Sequence, residues 1–175
     1  MVVKKHILVT IQKLDRLYNS SPAEATYYSK LAIIELCGWI EHSMDNIADN
    51  FANRHLISTP FKDIYSNVKT GTFGFEYKKN FRKMLGSTIG LHNMESIELS
   101  LTATGEIAIL EATLGSLKTQ RDNAAHTFIN ATTTYQAPSV TKSQLLIIYP
   151  ILKRLDNKSG LCKNMNTPLS HDCIV

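Results

Sequence analysis

The sequence predicts an all-α fold, a bundle of four or five helices, and three observations predict it. Apolar residues recur at three- and four-residue spacing through several long stretches. No alternating apolar–polar run is bounded by hairpin turns, so strand signals are scarce. The breaks between periodic stretches carry Pro, Gly, Asn and Ser, the residues that end helices. Helices of this kind bury one apolar stripe each against their neighbours.

The first predicted helix runs from about Val3 to Tyr18, with Ile7, Leu8, Ile11, Leu14 and Leu17 on one face. Asn19-Ser20-Ser21-Pro22 ends it. The next start signal is a capping box: Ser21 as N-cap, Pro22 at the first helical position and Glu24 three residues after the cap. A long amphipathic helix follows to about His55. Its stripe is Ile33, Cys37, Ile40, Met44, Ile47 and Phe51, and Glu41, Asp45 and Asp49 take another side. Gly38 inside it marks a close helix approach or a small bend. Thr59-Pro60 breaks the run, and Phe61 to Gly74 reads as a mixed connection.

A third helix is predicted over Glu76 to Ile89, with Lys78, Lys79, Arg82 and Lys83 on one face and Tyr77, Phe81 and Met84 on the other. Gly90 to Leu101 is polar and reads as a loop. The fourth helix begins near Ala103 and carries Ile107, Leu110, Leu114 and Leu117. Ala131 to Pro138 is a polar connector. Thr141-Lys142-Ser143-Gln144 is a second capping-box candidate, leading into the apolar run Leu145 to Leu155, where Pro150 predicts a kink. One domain therefore spans residues 1–158, and residues 159–175 form a polar tail expected to be poorly ordered.

Composition sets broad limits. The 175 residues are 43% hydrophobic and 19% charged, as in ordinary globular domains. A net charge of +4 permits anionic partners without requiring them. Cys37, Cys162 and Cys173 form no C-x-x-C pair and are odd in number, which argues against a disulfide framework and suits a reducing cytoplasm. No apolar run approaches the ~20 residues of a membrane span. His92-Asn93-Met94-Glu95 has a spacing that binds metal on a helix, but one such pair in a loop-like stretch leads us to expect neither metal nor cofactor.

The chemistry concentrates in Arg121-Asp122-Asn123-Ala124-Ala125-His126. On a helical wheel the stripe Ile107, Leu110, Leu114, Leu117 continues to Arg121, and from there to Ala125 and Phe128. An arginine on a core-facing stripe must reach a carboxylate, a phosphate or solvent, because an unpaired buried charge is costly. Glu35 on the long helix is a minor candidate partner. His126 lies roughly 140° further round an ideal helix, so the two side chains share no face. They converge only if the helix ends or bends, or if a second copy supplies the partner. Asp122 and His126, four apart, do share a face, so the carboxylate is placed to fix the imidazole tautomer. The plain alternative is a snorkelling arginine and a histidine that interacts with a helix C-terminus.

This segment resembles the R-x4-6-H signature of the HEPN superfamily. The long helix containing Leu31 to Glu41, the motif at the end of the following major helix and a terminal helix after it are similar too, over about residues 5 to 156. The stretch from Phe61 to Ser100 is the least familiar part. The resemblance implies a HEPN-like bundle that forms a two-fold homodimer and cuts RNA without metal, leaving a 2′,3′-cyclic phosphate. His126 would act as general base or general acid, Arg121 would stabilise the phosphate charge, and Asp122 or Asn123 would orient them. Lys78, Lys79, Arg82 and Lys83 would hold the RNA backbone, or simply form a solvated face. A toxin or anti-phage defence role, with an antitoxin as partner, is implied as well. The alternative is a non-catalytic HEPN-like module that binds a partner protein, nucleotide or RNA. In members silenced by a nucleotidyltransferase, a tyrosine stands two residues after the histidine. Here that position is Phe128, which has no hydroxyl to modify.

Overall fold

A computed structural model describes residues 1–130 and 132–162 of the chain. Among these residues there are seven α-helices and no strand, so the all-α expectation holds. The helix count exceeds the four or five expected.

Helix α1 (Lys5–Ser20) buries Ile7, Ile11 and Leu14. Helix α2 (Ala25–His55) is the central element and packs against α1 and against four of the five later helices. Its stripe Ile33, Cys37, Ile40, Met44, Ile47 and Phe51 is buried as the periodicity predicts, and Ala32, Leu36 and Ala48 broaden it. The Ser21 box does not form. Pro22–Glu24 makes a 3-10 turn without a side-chain cap, and the Glu24 carboxylate instead accepts the Tyr28 hydroxyl. Gly38 marks no close approach either, because a Cβ there would meet nothing within 4 Å.

Two stretches read as connections are helices. Thr59-Pro60 starts α3 (Thr59–Thr70) rather than breaking the chain, since proline in a first turn lacks only an N–H that has no partner there. A π-turn at Tyr77–Phe81 then leads into α4 (Arg82–Ile89). Gly90, at φ +89°, turns the chain directly into α5 (Leu91–Thr102). Met94, Ile97 and Leu101 of α5 are buried at helical spacing.

Helix α6 (Glu106–His126) buries Ile107, Leu110, Leu114, Leu117 and Ala124. Helix α7 (Pro138–Leu161) starts with Pro138 in its first turn, earlier than the Thr141 box predicts, and runs on through Pro150. Thr141 is buried inside it and accepts the Gln136 side-chain amide at 3.0 Å. Leu145, Ile148, Ile151, Leu152 and Leu155 complete the core, and Arg154 pairs with Glu106 to tie α7 to the start of α6. The helix continues three residues into the predicted tail, and the rest of that tail, from residue 163 on, lies outside the described residues. No described helix is long and apolar enough to cross a membrane.

Candidate active site

The seam of α6 alternates three and four residues from Ile107 to Ala124, and Arg121 occupies one of its positions. The side chain keeps 34% of its surface exposed. Its guanidinium carbon stands 5.7 Å from the ring centroid of the buried Phe75, which arrives from the segment before the π-turn. The Nε is 3.2 Å from an Asp122 oxygen but poorly aligned with it, so this buried N–H makes no hydrogen bond among the described residues. An arginine held by an aromatic face, with a donor left over, is disposed to take a further acceptor.

Asp122 turns to Lys118 rather than to the histidine. Lys118 Nζ donates to its carboxylate at 2.8 Å, and this bond, helped by the Arg121 charge, holds the Asp122 carboxyl below its ordinary range. The tautomer-fixing contact expected between Asp122 and His126 is therefore not made within one chain. The i, i+4 cation one turn earlier takes that oxygen first.

His126 is the last residue of α6 and is exposed, as is Asn123. The Asn123 carbonyl accepts the Thr127 N–H at 3.0 Å as the chain turns extended. Lys30 of α2 donates to the Thr127 carbonyl at 2.9 Å and pins this exit. The stripe does not continue to Ala125 and Phe128 as the wheel predicted. Ala124 takes the buried position, Ala125 faces out and Phe128 is 78% exposed because the helix has ended. No hydrogen bond or ion pair joins Arg121 to His126 among the described residues.

Glu35 is not the partner of Arg121, for it lines a groove between α1 and α2 with His6, Thr10 and Trp39. The side chain that shares the surroundings of Arg121 on α2 is Cys37, together with Glu41. Burial pushes the Cys37 thiol up to about 12, and its sulfur lies 3.8 Å from the Leu117 carbonyl, which fits packing. Sequence reading missed Phe75 and Lys118. Lys118 carried a signal in its four-residue spacing from Asp122, and Phe75 carried none.

The basic face is outward, as predicted, with Tyr77, Phe81 and Met84 buried behind it. Three of its four cations already have partners. Lys78 meets Glu111 of α6 at 2.9 Å, Lys79 meets Glu76 at 3.9 Å, and Arg82 meets Glu98 of α5 at 2.8 Å. Lys83 makes no ion pair among the described residues. His92 and Glu95, read as a weak metal pair in a loop, stand on α5 and line a cleft beside Lys83. No group of three or more metal-ligating side chains occurs among the described residues.

The chain matches no family model, no curated protein and no solved structure.

Proposed function

We propose that this protein is a metal-independent endoribonuclease of HEPN type that works as a homodimer, with Arg121 and His126 of two subunits sharing one cleft. The observation that carries the reading is the state of Arg121. It is a guanidinium on an apolar seam, backed by Phe75, with an Nε that makes no hydrogen bond among the described residues, five residues before an exposed imidazole at the helix end. The side chain as a whole keeps a third of its surface exposed, through which its other donors are open to a phosphate. The separation of Arg121 and His126 within one chain is what a shared site requires. Phe128, just past His126, is exposed and apolar, as are Tyr27 and Leu31 on either side of Lys30. Such residues suit a contact with a second copy.

The chemistry balances without water or a metal. One imidazole takes the proton of a ribose 2′-OH as its oxygen bonds to the adjacent phosphorus. The bond from phosphorus to the 5′-oxygen breaks, and a second imidazole, from the other subunit, gives that oxygen a proton. Arg121 stabilises the added charge on the non-bridging oxygens. Asn123, exposed within the motif, supplies a positioning donor, while Asp122 acts on the site through Arg121. The product ends are a 2′,3′-cyclic phosphate and a 5′-hydroxyl. A role as a toxin or defence effector, restrained by a partner protein, belongs to the same proposal.

The test is cleavage of single-stranded RNA in EDTA, with the ends analysed. His126→Ala should lose about 10²–10⁴-fold in rate, and Arg121→Ala about 10²–10³-fold, each with its folded state unchanged. Activity that survives His126→Ala, or that EDTA removes, would overturn the proposal. One observation favours a second reading, a binding module without catalysis: Asp122 is engaged by Lys118, which leaves the imidazole without an orienting group among the described residues.

A further inference from the structure

We infer that the cleft between α4 and α5 holds one nucleotide of the RNA strand away from the cut, with Lys83 and His92 on its phosphate and Leu91 against its base. The inference rests on the ribonuclease reading and narrows the predicted basic face to one working cation. The cleft encloses about 780 Å³, within the ordinary range for a small-ligand site. Lysine and histidine rise from its two walls, Lys83 on α4 and His92 on α5. Its lining also holds the Ser87 hydroxyl, the exposed Leu91 and the buried Met94.

The neighbouring cations are already paired, Arg82 with a carboxylate of the cleft's own lining. Lys78 is held by Glu111 and Arg82 by Glu98, so a phosphate would have to break an existing ion pair to reach either. Lys83 needs no such exchange. Leu91 is 81% exposed at the first position of α5, with its side chain beside Gly86 of α4 and most of its apolar surface open to a ligand. Glu95, also on the rim, is an acceptor for sugar hydroxyls and disfavours a second phosphate there. A single phosphate with an apolar, planar body and hydroxyls fits this lining better than a polyanion.

The cleft also lies on a path to the motif. Lys78 on its edge pairs with Glu111, and Phe75 just before it lies against Arg121. The ten helical steps of α6 from Glu111 to Arg121 cover on the order of 15 Å. A strand crossing that distance has its anchored nucleotide a few positions from the bond that is cut.

The experiment measures binding of a 2′-O-methyl single-stranded oligonucleotide, which cannot be cleaved, to the full chain across a salt series. Lys83→Ala should weaken binding about three- to tenfold and lower the salt slope by about 0.7. Lys83→Arg should restore the slope, and Lys13→Ala, at an exposed lysine of α1, should leave it unchanged. The imidazole signals of His92 in the unaltered protein should shift on adding the oligonucleotide, a readout that needs no variant to fold. Equal effects of Lys83→Ala and Lys13→Ala, or no response of His92, would overturn the inference. If a free nucleoside monophosphate binds as tightly as the strand, or inorganic phosphate does, the assignment to a strand nucleotide is overturned. Binding that depends on Lys83 in a protein that does not cut RNA would sink the nuclease reading alone. Cutting that ignores Lys83 would sink only the cleft.

Discussion

Gly38 sits in the middle of α2, exposed, with open space where a Cβ would stand. Glycine there carries its backbone-entropy cost without a packing reason inside the chain, so Gly38→Ala should stabilise the protein by about 1 kcal/mol in denaturant unfolding. Destabilisation instead would mean that an alanine methyl clashes with something this chain alone does not contain. Asp45 gives a pH-dependent case. Burial raises its carboxyl above the ordinary 3.8, against a smaller opposite pull from Lys69. The folded state then holds that proton more tightly than the unfolded chain, so ionised Asp45 disfavours folding above its folded pKa. The penalty fades as pH falls through that value towards 3.8. Asp45→Asn should therefore raise the melting temperature at neutral pH, and the gain should shrink in acid. A gain that is constant or grows as pH falls contradicts the account. At this scale the seam position of Arg121 was legible, because its register follows from apolar spacing alone. The contacts of Asp122 with Lys118 and of Arg82 with Glu98 were not equally so: the first lies one turn away, whereas the second needs α4 and α5 folded together.

Helix α3 is the element least bound to the rest. It has no buried residue, and its polar contacts with α2 are both made by Asp49. This carboxylate accepts the Tyr65 hydroxyl at 2.6 Å and the Lys69 ammonium at 2.7 Å. Hydrogen bonds to a charged group contribute about 1.5–3 kcal/mol each, enough to hold a twelve-residue helix that lacks a core face. Asp49→Ala should speed amide exchange across Thr59–Thr70 and leave the protection of α2 intact. Unchanged exchange in α3 would mean that packing by Val68 and Tyr65 holds it instead. The same lack of a core face explains why α3 was read as a connection. Sequence periodicity reports burial, and this helix buries no residue fully, with only Tyr65 and Val68 partly covered against the core. Helix α5 was missed for a different reason. Met94, Ile97 and Leu101 do keep helical spacing, but the polar residues between them and the glycine before them obscured it. The long helices α1, α2, α6 and α7 were legible because each presents a sustained apolar stripe to one shared core.

For the whole molecule, the proposal joins two copies of α6 at their C-terminal ends. Arg121 remains on the seam and His126 at the helix end, so each chain offers half of the chemistry on different sides of one helix. Mixing two inactive variants tests the pooling of these groups most directly. Arg121→Ala and His126→Ala proteins, each shown by solution mass to form dimers, are unfolded together, refolded and assayed on RNA in EDTA. A shared cleft predicts that the hybrid, with one intact arginine and one intact histidine from different subunits, exceeds both parents, which lack every arginine or every histidine, and stays well below the unaltered protein because one of the two imidazoles is missing. A mixture as inactive as either variant alone, beside an active unaltered protein, would contradict the account.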